Sequence, residues 1–171
     1  MVQPSDILDA VERLTLENGR LPSLLAVSRA TGLTKQGVLH HFPTRSALDR
    51  AVTLRAIEQV DAAMRSASAD GSPVETYLRL SSPTDRDRAA ALIITAALQD
   101  RGSLGLPAET GLAVKRWERM LADELGDRLL AEIVRLTGDG LFGEALVTGS
   151  PPAPDRVDRL IGYFRSAISR S

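Results

Sequence analysis

Apolar residues along the chain recur at intervals of three and four, and nowhere alternate over the stretch a half-buried strand needs. After Ser5, Ile7, Val11 and Leu14, with Leu8 and Ala10 beside them, predict an amphipathic helix that stops at Asn18-Gly19. Ser23 follows Pro22 and precedes Leu24-Leu25-Ala26-Val27, so its hydroxyl is placed to cap a second helix. That helix ends at Gly32, the residue type best suited to the positive φ of a tight turn. Leu33 fills the space under the turn, Thr34 caps a short third helix, and Pro43 stops it. Thr44 then caps a long helix through Leu48, Val52, Ala56, Val60 and Ala63 to about Ser68.

The break Ala67-Ser68-Ala69-Asp70-Gly71-Ser72-Pro73 precedes a short helix carrying Tyr77 and Leu78. Ser81-Ser82-Pro83-Thr84-Asp85 both breaks that helix and caps the next, Arg86 to Asp100, which is apolar on most of its girth and is expected to be central. After a loop over 101–107, Ala108 to Leu125 predicts a charged helix with Trp117, Met120 and Leu121 on one side. Two last helices, about Arg128 to Val147 and Asp155 to Ser169, flank the Pro-rich segment Ser150 to Pro154. The expected fold is all-α with about nine helices: a three-helix N-terminal domain over 1–48, joined by the long helix to a C-terminal helical domain over 49–171.

Composition narrows the function. The 171 residues include no cysteine, which removes disulfides, thiolate metal sites and cysteine nucleophiles. Met1 to Asp6 has neither a basic region nor an apolar run of the secretory kind, and the longest apolar run, Ala89 to Leu98, is too short to span a bilayer. A soluble cytoplasmic protein without membrane contact is expected. No nucleophile–base pair, paired-carboxylate site or Gly-rich phosphate loop stands out, so neither catalysis nor a cofactor is expected.

Thr31 to Leu48 carries the most information. It reads as the turn and second helix of a helix-turn-helix, with Lys35, Gln36 and Gly37 on the exposed first turn of a helix able to enter the major groove. Charge pulls the other way. The net charge is −1, and residues 1–50 carry six cations against five anions. DNA affinity must then come from a few placed cations and backbone amides, doubled by two subunits.

Leu33-Thr34-Lys35-Gln36-Gly37-Val38-Leu39-His40-His41-Phe42-Pro43-Thr44-Arg45 resembles the recognition-helix signature of the tetracycline-repressor (TetR) family of bacterial transcription regulators. It is most similar to the branch that reads Ser-Lys-Gly-Gly-Leu-Leu-His-His-Phe-Pro-Ser-Lys. Ile7-Leu8-Asp9-Ala10 and its spacing to Gly19 match the family's first helix, and Leu136 to Leu141 is similar to the Asp-Gly-Leu segment of the penultimate helix. The resemblance implies a homodimeric repressor, occasionally an activator, that binds a palindromic operator and is released by a small molecule bound in the C-terminal domain. By position it places Thr34, Lys35, Gln36 and Gly37 in the major groove, and Ser23, His40, His41, Thr44 and Arg45 at phosphates. Lys35 and Gln36 suit donation to base edges, and Arg45 beside a helix N-terminus suits a phosphate oxygen.

The chain departs from the family pattern in places. Gln3-Pro4-Ser5-Asp6 stands where basic residues are usual, Thr15 where a Phe is common, and Leu25 and Leu39 where many members place Arg and Tyr. Fewer phosphate contacts imply a shallow salt dependence. The alternative function is a ligand- or protein-binding helical module that kept the fold but binds DNA weakly.

Other candidates keep two readings. His40-His41 serve phosphate contact or packing rather than metal, since adjacent helical residues point about 100° apart and no acidic partner is near. Trp117 is either core filler or, with Tyr77, Leu92, Thr95 and Leu98, the wall of a ligand cavity. Gly138, Gly140 and Gly143 either admit another helix closely or mark a kink. With Leu141 beside them, the stripe Val157, Leu160, Ile161, Phe164 and Ile168 is expected at a symmetric four-helix dimer interface built from the last two helices.

Overall fold

The computed structural model describes residues 2–82, 88–99 and 108–168, apart from the side chains of Leu98, Gln99, Ala108, Leu146 and Ile168. Among the described residues there are nine helices and no strand. They are α1 (Pro4–Asn18), α2 (Leu24–Thr31), α3 (Lys35–His41), α4 (Arg45–Asp70), α5 (Pro73–Leu80), α6 (Arg88–Gln99), α7 (Ala108–Leu125), α8 (Arg128–Thr148) and α9 (Pro154–Ile168). The expected cap at Pro83-Thr84-Asp85 and the loop over 101–107 lie outside the described residues. No described helix is long and apolar enough to cross a membrane.

The helix ends follow local chemistry. Pro4 opens α1, where its missing N–H costs nothing, and the Asp6 carboxylate accepts from the Gln3 N–H at 2.7 Å. Gly19 and Gly32 close α1 and α2 in the left-handed conformation, with φ of 66° and 69°. Pro73 opens α5, and the Glu124 carboxylate accepts from the Val74 N–H at 2.7 Å, satisfying a first-turn donor from a distant part of the chain.

The chain folds as two compact units, Met1–Gln59 with Asp85–Gly111, and Val60–Thr84 with Leu112–Ser171. The first holds α1 to α3, the first part of α4, and α6. Its core is Ile7 and Val11 of α1, Val27 of α2, Val38 of α3, Leu48, Val52 and Ala56 of α4, and Ala90 and Ile93 of α6, with Leu33 and Phe42 packed against it. The apolar α6 is thus central to this unit, lying against α1. Thr15 is fully buried, its hydroxyl donating to the Val11 carbonyl at 2.7 Å; the helix's own backbone satisfies it.

In the second unit, α8 and α9 both pack on α5. Its buried residues include Met64, Leu78, Leu121, Val134, Leu141, Ile161 and Phe164. Gly138 of α8 is where α5 comes closest. A methyl there would stand 2.6 Å from Tyr77 Cε1 and from Ser81 Oγ. One of the three α8 glycines therefore admits another helix closely, and that helix belongs to the same chain.

Candidate nucleic-acid interface

Three hydroxyls build the helix-turn-helix. Ser23 Oγ accepts from the Ala26 N–H at 3.2 Å, Thr34 Oγ1 from the Gly37 N–H at 3.0 Å, and Thr44 Oγ1 from the Ala47 N–H at 3.0 Å. Each satisfies an otherwise unpaired first-turn donor and leaves its hydroxyl hydrogen available to an outside acceptor. The single buried side chain of α3 is Val38, fully enclosed, which fixes how the helix lies on its unit. Thr34, Lys35 and Gln36 are exposed ahead of it, and His40 is exposed behind it. His41 and Phe42 are half-buried; the His41 ring stands edge-on to His40 with centroids 5.7 Å apart.

The six cations of residues 1–50 divide into two groups. Arg13 pairs with Glu17 at 3.1 Å and Arg50 with Glu109 at 2.6 Å. Arg45, expected at a phosphate, is engaged within the unit: Nε donates to Asp49 Oδ2 at 2.6 Å and Nη1 to the Pro22 carbonyl at 2.5 Å. It thereby ties the start of α4 to the residue ahead of the α2 cap. Among the described residues, Arg20, Arg29 and Lys35 have no ion-pair partner.

The five candidate ligand residues are divided between the units: Tyr77 and Trp117 in one, Leu92, Thr95 and Leu98 in the other. Trp117 is buried, and its Nε1 donates to Asp61 Oδ1 at 2.6 Å while Arg116 holds Asp61 Oδ2. The Tyr77 hydroxyl donates to Asp139 Oδ1 at 3.1 Å, and Arg135 links Asp139 to Glu118. Burial and the neighbouring Asp139 charge push the Tyr77 hydroxyl pKa well up, so it stays a donor. Thr95 Oγ1 donates to the Ala91 carbonyl at 2.9 Å, Leu92 is half-buried, and the Leu98 side chain lies outside the described residues. An open groove of about 640 Å³ lies between α7 and α8, beside Lys115, Glu118, Arg119, Arg128 and Glu132, and neither Tyr77 nor Trp117 lines it.

Expected at a subunit interface, Leu141, Val157, Ile161 and Phe164 are instead buried inside their own unit, Leu160 is half-buried, and Ile168 has no described side chain. The exposed apolar residues of α8 and α9 are others: Leu129, Ile133, Leu136, Val147 and Tyr163. Sequence reasoning passed over these, and over Asp61 as the indole's acceptor. The 4-3 spacing of the α8 set was a readable signal; the α4–α7 contact behind Asp61–Trp117 was not. Among the described residues, no group of three or more His, Asp or Glu could hold a metal ion.

Comparison with known proteins gives the lineage. Residues 71–168 match the family model described as tetracyclin repressor-like, C-terminal domain. A transcriptional regulator from Rhodococcus sp. Rha1 shares the fold with a TM-score of 0.80, at 18% identity over 99% of this chain and 97% of that one. The TetR family transcriptional regulator PfmR from Thermus thermophilus follows with a TM-score of 0.63, at 19% identity over 96% of this chain and 97% of that one. Among curated proteins, none matches. At such identities the solved structures speak for the fold alone, but the family model takes in more than half of the sequence: the chain belongs to the tetracyclin repressor-like (TetR) family.

Proposed function

We propose that the chain is a transcriptional repressor that binds a palindromic operator as a homodimer and is released by a small molecule. Residues 1–48 would make the DNA contacts, and residues 49–171 would hold the effector and the dimer contacts. The observation that carries this reading is the first turn of α3: Thr34 caps it, Val38 anchors it, and Lys35 and Gln36 stand exposed with no partner of their own. Gly37 adds support. A methyl there would meet Leu33 Cβ and Thr34 Oγ1 at 3.4 Å, ordinary contact distances, so the unit's packing does not demand glycine. Alanine would favour the helix by about 1 kcal/mol. Close approach of α3 to base edges supplies a reason for the glycine, as in the Lys-x-Gly-x-Leu-His-His-Phe-Pro branch that this helix resembles.

Lys35 and Gln36 would read bases, with Ser23, Thr44, His40 and His41 at phosphates. Arg45 would act chiefly by holding the α2 and α4 starts in place. Release needs an effector that shifts the dimer towards wrongly spaced recognition helices, a coupling of about 1–3 kcal/mol. The second reading, a helical module that binds DNA feebly, is favoured by the three ion-paired cations of the N-terminal segment. Genomic fragments selected on the purified protein at near-physiological salt separate the two. The repressor reading expects one enriched palindrome; flat retention of all fragments favours the module.

A further inference from the structure

The groove between α7 and α8 opens beside the two-residue link that joins them. One wall is Lys115, Glu118, Arg119 and Ala122 of α7, spaced i, i+3, i+4, i+7 and so on one face of that helix. The other wall is Arg128, Ala131 and Glu132 of α8, again at i, i+3, i+4. Ala122 and Ala131 are small, so the space between the charged residues stays open. Its volume, about 640 Å³, is that of a small-molecule site.

The charges of this unit are unevenly matched. Of its ten described Lys and Arg side chains, seven are ion-paired. Among the described residues, the three without an ion-pair partner are Lys115, Arg119 and Arg128, and all three line the groove. Glu118 is matched by Arg135 at 2.5 Å, so Glu132 is the one lining carboxylate outside an ion pair, and the groove keeps a surplus of two positive charges. Lys115 and Arg119 stand one turn apart on the same helix, a like-charge spacing that destabilises it. An anion between them removes that cost. Arg119 Nε donates to the Lys115 carbonyl at 3.2 Å, which leaves its Nη groups to an outside acceptor. At the start of α8, Asp127 already accepts from the Leu129 and Leu130 N–H at 2.8 and 3.1 Å, so the cationic side chains are what the groove offers an anion.

Resting on the reading above of a repressor released by a small molecule, we propose that this groove seats the effector, and that the effector carries at least two acid groups, as a polycarboxylate or a phosphate ester. Lys115 and Arg119 hold one acid group and Arg128 the other, while Glu132 accepts from a hydroxyl of the ligand. The charge surplus disfavours a cationic effector, and the charged walls disfavour an apolar one.

Isothermal titration calorimetry of the full chain at low salt, with pyrophosphate and citrate as probes, tests the site. One saturable site per chain is expected for at least one probe below about 1 mM, and which of them binds tells phosphate from polycarboxylate. Lys115→Ala, Arg119→Ala and Arg128→Ala alter exposed residues, so folding is not at stake. Each removes one charge-assisted contact and is expected to raise Kd about tenfold. Arg159→Ala removes an exposed cation of α9 outside the groove and should leave Kd unchanged. No saturable binding of either probe, or an equal loss with Arg159→Ala, would overturn the site. At matched ionic strength, fluorescence anisotropy should show the bound probe weakening affinity for the enriched operator fragment about fivefold or more, and much less so in Arg128→Ala. Groove binding that leaves operator affinity unchanged would overturn the effector role while the repressor stands. Failure to enrich any operator would overturn the repressor reading and the effector role together, with the calorimetry still deciding the site.

Discussion

Gly138→Ala places a methyl where α5 crosses α8. The built Cβ is 2.6 Å from Tyr77 Cε1, 2.6 Å from Ser81 Oγ and 3.0 Å from Tyr77 Cδ1. Carbon pairs rest at about 3.5–4.0 Å, so the Tyr77 ring must retreat by roughly 1 Å. Tyr77 is 7% exposed and its hydroxyl is held by Asp139 at 3.1 Å, so the ring cannot move without disturbing both packing and that bond. Overpacking of this kind costs about 1–3 kcal/mol, and weakening the hydrogen bond adds up to about 1 kcal/mol. Alanine returns roughly 1 kcal/mol through helix propensity. The net expectation is a loss of about 0–3 kcal/mol against the parent, a Tm lower by up to about 10 °C for a chain of this size, and about 1 kcal/mol more than that against a glycine-to-alanine change with no clash. Gly111→Ala is the control: with nothing within 4 Å of its Cβ, it should match or exceed the parent. Thermal melts at one protein concentration, followed by circular dichroism, make the comparison without shifting any monomer–dimer balance. A Gly138→Ala protein as stable as the Gly111→Ala control would refute the steric argument.

Two other expectations follow from charge. Burial raises the pKa of the Glu124 carboxyl above its ordinary value, with the Val74 N–H pulling the other way less strongly. The folded state then holds its proton longer than the unfolded chain, so this group's contribution to stability falls as pH climbs above about 4.5. Glu124→Gln keeps an acceptor for Val74, and urea midpoints should show its stability relative to the parent growing from pH 4 to pH 7; a constant difference would contradict the shift. On DNA, with three cations of residues 1–50 outside any ion pair in each subunit, a dimer that contacts phosphates through this segment should give a log–log salt slope no steeper than about −5. A slope near −10 in a salt titration would mean that Arg13, Arg45 and Arg50 leave their carboxylates for phosphates.

The N-terminal helices were legible because their signals are local. Ser23, Thr34 and Thr44 cap the helices that directly follow them, and Gly19 and Gly32 adopt the positive φ that their positions suggest. What depends on partners distant in sequence was not legible. The stripe Val157, Ile161 and Phe164 announced an apolar face but not what covers it; the covering helix is α5 of the same chain rather than a second subunit. For Arg45 the i,i+4 partner Asp49 is local and could be read in the sequence, whereas the Pro22 carbonyl, 23 residues away, becomes its neighbour only when α2 and α4 pack. Trp117 left core and ligand roles open, and the buried Asp61 that meets its indole lies 56 residues away. Helix starts and stops are written in consecutive residues, whereas the meaning of an apolar or charged face depends on the tertiary fold.

The central claim is that the first turn of α3 reads DNA, and the most direct test is the affinity of the enriched genomic fragment for the parent chain and for Lys35→Ala, measured by fluorescence anisotropy at fixed salt. Lys35 is exposed and unpaired, so its removal leaves helicity and dimerisation intact. Loss of one such contact from each subunit, at about 1–3 kcal/mol apiece, should weaken binding by a factor of ten or more. Equal affinity of the two proteins for that fragment would contradict the account.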